Sequence, residues 1–103
     1  MEMIGISGGV CAAKGFCANG IHCGIRKNKT KNDLSLIFSE KRAAVACVYT
    51  TNKVKGAPLV VTKKNVADGY AQAVICNSGN ANTCNADGEE IAEKTCALLA
   101  DEL

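Results

Sequence analysis

Ala73-Val74-Ile75-Cys76-Asn77-Ser78-Gly79-Asn80-Ala81-Asn82 is the stretch whose reading decides the fold. Four apolar residues give way without transition to three asparagines set around a serine and a glycine, and a helical pattern follows. Asn and Gly tolerate positive φ, and Asn bonds its own neighbouring backbone, so the polar half is a tight turn rather than a linker. A turn between a buried strand and the start of a helix is where α/β proteins place polar groups that meet a ligand. The same residues also suit a plain strand-to-helix connection, and composition alone leaves both readings open.

Downstream of this turn lies the clearest helix. Asp87 is placed to cap it, with Glu90 at the capping-box spacing. Ile91, Thr95, Leu98 and Leu99 form one apolar stripe, while Glu89, Glu90 and Glu93 crowd the first turns, where the macrodipole favours acids. After Asp101-Glu102-Leu103 an α/β layer architecture calls for one more strand.

Upstream, Gln72 to Cys76 reads as a strand. Residues 4–20 are Gly-rich and irregular, and Ser7-Gly8-Gly9-Val10 does not make a phosphate-binding fingerprint. Ile21 to Ile25 and Leu34 to Ser39 are predicted strands around a polar hairpin tip, Arg26 to Asp33, whose four basic residues resemble an anion site but more often mark a solvated turn. Glu40-Lys41-Arg42 is predicted to turn the chain into a buried strand, Ala43 to Tyr49, ending at Thr50-Thr51-Asn52. Pro58 then opens an extended run, Leu59 to Thr62, followed by a short helix, Lys63 to Gly69.

With 103 residues there is room for one small domain or part of a larger one. Phe16, Phe38, Tyr49 and Tyr70 are the only aromatics, and the Ala, Val, Ile and Cys that replace them fill less volume each. So few large side chains favour an incomplete segment, 1–103, of one larger α/β domain with no internal boundary. No window is long and apolar enough to span a bilayer, and Met1 to Gly5 lacks the features of a secretory signal. The expectation is a cytoplasmic protein with no membrane partner.

Seven cysteines, Cys11, Cys17, Cys23, Cys47, Cys76, Cys84 and Cys96, form no Cys-x2-4-Cys pair, so no metal site is expected. Several sit in apolar runs and read as reduced, small hydrophobes. His22 adjoins Cys23, but strand neighbours point to opposite faces, which argues against a Cys-His nucleophile. Charge is split: residues 1–64 carry eleven Lys/Arg against three acids, residues 65–103 one Lys against seven acids. The basic half is compatible with a non-catalytic binding module using a basic face, yet no aromatic platform for nucleic acid accompanies it. No nucleic-acid partner is expected.

Four ordered blocks then bear comparison with a known family: Gly9 to Phe16; Ala18 to Ile25 with Lys27 and Asp33-Leu34; Val48-Tyr49-Thr50-Thr51-Asn52-Lys53-Val54-Lys55-Gly56-Ala57-Pro58; and Asn77 to Asn82 leading into the acidic helix. Together they resemble the N-terminal part of the alpha chain in the ornithine acetyltransferase family, also called the arginine-biosynthesis bifunctional or glutamate N-acetyltransferase family. The chain departs from it at Ala13, where members usually have Pro, and at Cys11, Cys17, Cys47 and Cys84, where other small or polar residues are usual.

The resemblance implies an α/β fold, a layered helix-sheet sandwich of the ornithine acetyltransferase type, with only its N-terminal portion present. It implies an acetyl group moved from N-acetyl-L-ornithine to L-glutamate through an acetyl-threonine intermediate, with acetyl-CoA as a further donor in bifunctional members and no bound cofactor. The threonine is freed by autocatalytic cleavage at an Ala-Thr bond, and alpha and beta chains pair as an alpha2beta2 heterotetramer. Both the nucleophile and the oxyanion Thr-Gly are expected downstream of Leu103. No catalytic residue is therefore carried onto this chain, and alone it is expected to be inactive. Asn77, Ser78, Gly79, Asn80 and Asn82, with Thr50, Thr51 and Asn52, are the residues expected to border the site or to hold the loops that build it.

Overall fold

The computed structural model describes residues 1–27 and 30–103. The chain forms two compact units, Met1–Ala43 with Gln72–Gly79, and Ala44–Ala71 with Asn80–Leu103. A single 3-10 turn, Gly9–Ala12, precedes strand β1 (Phe16–Ile21), strand β2 (Leu34–Ala44), helix α1 (Ala57–Asn65), strand β3 (Tyr70–Asn77) and helix α2 (Gly88–Glu102).

The sheet has the order β1-β2-β3. β1 and β2 are antiparallel, in register from Phe16 opposite Ser39 to Ile21 opposite Leu34. The predicted hairpin therefore exists, but its first arm is Phe16–Ile21 and not Ile21 to Ile25, which is loop. Gly-rich composition hid a strand inside residues 4–20, because Gly15 takes the positive φ of 88° that turns the chain into it. Asn28 and Lys29 of the predicted tip lie outside the described residues.

Glu40-Lys41-Arg42 makes no turn: β2 runs straight through to Ala44. All three residues are exposed, and Glu40 is bonded on both sides, its N–H to the Gly15 carbonyl and its carbonyl to Gln72 Nε2. Ala43 to Tyr49 correspondingly fails as a buried strand. β2 ends at Ala44, and Val48 is 98% exposed. A short apolar run without alternation has no period to identify it, which is why it misleads. The Gln72-to-Cys76 strand is present as part of β3, with Ala71, Ala73 and Ile75 half-buried and Gln72, Val74 and Cys76 exposed.

In the second unit, Leu59 to Thr62 is helical, not extended. Pro58 lies in the first turn of α1, where a missing N–H leaves no helical bond unmade. Ala57 donates its N–H to the Asn82 carbonyl at 2.8 Å, and Leu59 donates to Gly56 at 3.0 Å. Valine's preference for strands is weak against such anchoring, and Val61 is 3% exposed, the one buried apolar residue among the described residues. Its burial is worth roughly 2 kcal/mol. Lys63 and Lys64 fall in the last turn, on the favourable end of the dipole. Gly69, at φ 82°, bonds back to Val66, so the predicted stop is real although the helix lies N-terminal to where it was expected.

The acidic helix is present as α2. Asp87 stands at its N-cap, but its side chain makes no capping bond; its carbonyl accepts the Ile91 N–H at 3.0 Å. The half-buried stripe is Ala92, Thr95, Cys96 and Leu99, rotated from the predicted one, leaving Ile91 and Leu98 exposed. α2 packs on α1, and Lys64 pairs with Glu93 at 3.3 Å across the helices. Gly88 permits the approach, since a Cβ there would stand 2.9 Å from the Ala57 Cβ. All seven cysteines are free, but Cys96 alone is half-buried and the others are exposed, so they are not the packed hydrophobes expected. Among the described residues no helix is long and apolar enough to cross a membrane.

Candidate functional site

The first unit holds a buried carboxylate that sequence reasoning passed over. Asp33 is 2% exposed, at the point where the loop after β1 enters β2. Its Oδ1 accepts the Cys23 N–H at 2.8 Å and its Oδ2 the Arg26 N–H at 2.9 Å. Its own N–H donates to the Ile21 carbonyl at 2.9 Å. The two main-chain donors, Arg26 first, hold the carboxyl far below the usual carboxylate range against the opposing effect of burial. The site therefore favours the ionised form of Asp33.

His22 and Cys23 both turn to this carboxylate. The strand has already ended at Ile21, so the alternation expected to separate them does not apply. His22 Nδ1 lies 3.3 Å from Asp33 Oδ2 and 3.0 Å from the Lys31 carbonyl. Both partners only accept, so Nδ1 carries a proton. Local desolvation and then the Asp33 carboxylate push the thiol of Cys23, itself an exposed residue, up from its ordinary value. The signal for this cluster was legible as the lone acid in the basic stretch from Arg26 to Asp33.

The opening turn residues meet the same cluster. Asn77 closes β3. Ser78 donates its N–H to the Asp33 carbonyl at 2.8 Å, and its Oγ accepts from Arg26 Nη1 at 3.3 Å. Gly79, at φ 105°, lies so close that a Cβ would stand 2.7 Å from Arg26 Cγ. Ser78 and Gly79 are thus pinned to the loop that precedes β2.

The remaining turn residues belong to the second unit. Asn80 Oδ1 accepts the Asn82 N–H at 3.2 Å, an Asx turn, and Thr83 Oγ1 donates to the Ala81 carbonyl at 3.1 Å. Asn82 and Cys84 take φ of 59° and 60°. The amides thus shape backbone here, and the Asn82 carbonyl anchors the start of α1. Thr50 Oγ1 accepts the Asn52 N–H at 3.2 Å in a similar local turn, with Thr51 exposed between them. Nearby, Lys63 stands 5.8 Å over the Tyr49 ring. A shallow recess of about 270 Å³ is lined by Lys55, Val60, Cys84, Asp87, Glu89 and Glu90 among others.

These bonds make the turns scaffolding. The ArgJ family matches residues 17–103. The chain belongs to the ArgJ family. It is 39% identical over 102 residues to the arginine biosynthesis bifunctional protein ArgJ of Caldanaerobacter subterraneus, an alignment covering 94% of this chain and 25% of that one. It is 45% identical over 91 residues to the Geobacter sulfurreducens protein of the same name, covering 87% and 23%. The chain spans about a quarter of the length of these ArgJ relatives.

Solved ArgJ structures agree in fold. The crystal structure of the Bacillus halodurans protein superposes with a TM-score of 0.85 at 45% identity, over 91% of this chain and 49% of that one. Ornithine acetyltransferase from Mycobacterium tuberculosis, solved in complex with ornithine, gives 0.81 at 39% identity, over 89% and 50%. The fold is therefore the α/β fold of the ornithine acetyltransferase type, of which this chain is the N-terminal portion.

Proposed function

We propose that this chain is the N-terminal segment of an acyltransferase that moves an acetyl group from N-acetyl-L-ornithine to L-glutamate in arginine biosynthesis. The observation that carries the reading is the ArgJ match over residues 17–103, with the Asn77-to-Asn82 turn intact within it. The segment belongs to one larger α/β domain, in a cytoplasmic enzyme, and has no activity by itself.

In this reading a threonine downstream of Leu103 supplies the nucleophile. Its hydroxyl oxygen attacks the acetyl carbonyl, the ornithine amine leaves with a proton, and the glutamate amine then takes the acetyl group from the threonine. Oxyanion donors, also downstream, lower the barrier by a few kcal/mol each. Residues 77–82 and 50–52 hold the loops that border this centre. Acetyl-CoA serves as a further donor if the enzyme is bifunctional.

Cleavage into two chains has indirect support. The same segment covers about a quarter of the curated ArgJ relatives but about half of the solved ArgJ chains. Solved chains of half the precursor length are what cutting near the middle produces, and pairing of the two products as alpha2beta2 follows the family pattern. The test is direct: the full-length reading frame is expressed, the purified product is weighed by mass spectrometry, and ornithine release from N-acetylornithine plus glutamate is assayed. Two chains and glutamate-dependent release are expected. An uncut, inactive product sinks the proposal.

A further inference from the structure

Three contacts converge on the Ser78–Gly79 turn, and all of them lead back to one residue, Asp33. The Asp33 carbonyl accepts the Ser78 N–H, and the Arg26 guanidinium reaches Ser78 Oγ. The Arg26 main chain and Cγ fill the space beside Gly79, and Asp33 Oδ2 holds that main chain by its N–H. We propose that Asp33 is a positioning residue for acetyl transfer, fixing the Ser78–Gly79 turn through its own carbonyl and through Arg26. The proposal rests on the reading that the turn borders the site.

Asp33 touches nothing that reacts. It is buried, and its oxygens already receive the Cys23 and Arg26 N–H groups and face His22 Nδ1. A carboxylate is acceptor-only and suits a pocket into which three donors point. An amide of the same shape brings an NH2 against one of those donors, so Asp33→Asn pushes either Cys23 or Arg26 away. The displacement passes to Ser78 and Gly79, because Arg26 bonds the one and stands beside the other. Misplacement by about an ångström next to a reaction centre slows chemistry by on the order of 100-fold.

The experiment uses the full-length enzyme with Asp33→Asn, Arg26→Met, Ser78→Ala, the Arg26→Met/Ser78→Ala double variant and Asn77→Ala. For Asp33→Asn, kcat is expected to fall roughly 10- to 100-fold with KM for both substrates little changed. A lower melting temperature with kcat per folded enzyme retained overturns the proposal. Should Asp33→Asn not fold, the surface pair decides: each single variant lowers kcat, and the double is no worse than the poorer single. Independent, multiplicative losses, or none, overturn it. If Asn77→Ala alters kcat or KM while Asp33→Asn does not, the bordering reading stands and the proposal falls. If Asn77→Ala and Ser78→Ala both match wild type, the bordering reading fails, and any Asp33→Asn loss then runs by another route, which also overturns the proposal.

Discussion

Ser78 donates its main-chain N–H to the main-chain carbonyl of Asp33 at 2.8 Å. The bond ties the Asn77-to-Asn82 turn to the loop between β1 and β2, and it leaves both side chains free for other work. Asp33 spends its carboxylate on the loop itself, and Ser78 offers its hydroxyl to Arg26.

Gly79 next to that bond has two reasons to be glycine. Its φ of 105° is strained for any L side chain, and a Cβ would meet Arg26 Cγ at 2.7 Å and Arg26 N at 3.3 Å. Gly79→Ala in the full-length protein is expected to destabilise by more than about 1 kcal/mol, read as a lowered melting temperature. An unchanged melting temperature would show that the turn relaxes freely.

Asp33 should mark the acid limb of stability. Its folded pKa is depressed by the Arg26 and Cys23 N–H groups, so its contribution is complete above the unfolded value of about 3.9 and is lost as pH falls below it. The sign follows because the unfolded carboxyl takes up a proton while the folded one still refuses it. Asp33→Asn is expected to flatten the fall in melting temperature below about pH 4. Parallel curves for the two proteins would assign acid lability to other groups.

Cys23 offers a chemical readout of the same cluster. Local desolvation first, then the hydrogen bond and charge of Asp33, raise its thiol pKa, and the thiolate is the reactive form. Alkylation followed by peptide mass spectrometry should find Cys23, although exposed, slower than a thiol of ordinary pKa. Asp33→Asn should speed it. A Cys23 that reacts at the ordinary rate in both proteins contradicts the arrangement.

Much of this was legible in the chain, and the misses share a physical cause. β3 was readable because the apolar run at the end of Gln72 to Cys76 stops abruptly at a polar turn, and α2 because the i, i+4 pattern after Asp87 is a strong local signal. α1 was misread because Val60, Val61 and Thr62 favour strands, and the bond from Ala57 to Asn82 that starts the helix is invisible locally. The α2 stripe was displaced because large residues, Ile91 and Leu98, were assumed to face inward, whereas the close approach of α1 needs small ones, Gly88 and Ala92. The Asn77-to-Asn82 turn was recognised as a unit, but what holds it was not. Asp33 looked like one more polar residue at a hairpin tip, and only the fold brings Ser78 to it.

Asn82 carries the last prediction, because one residue there serves two structures. Its φ of 59° is in the left-handed region, which Asn and Gly enter most readily, and the Asn80 side chain stabilises it by accepting the Asn82 N–H. In that conformation the Asn82 carbonyl accepts the Ala57 N–H, one of the donors that a helix start leaves unpaired. A β-branched residue resists positive φ, so Asn82→Val is expected to lose about 1–2 kcal/mol and to rotate the carbonyl away from Ala57. Asn82→Gly keeps the conformation and should lie within about 0.5–1 kcal/mol of wild type. Hydrogen exchange on the full-length protein separates conformation from mere side-chain loss. Amides in the first turn of α1, Ala57 above all, should exchange faster in Asn82→Val and unchanged in Asn82→Gly. Equal protection in both would show that α1 begins without help from the turn.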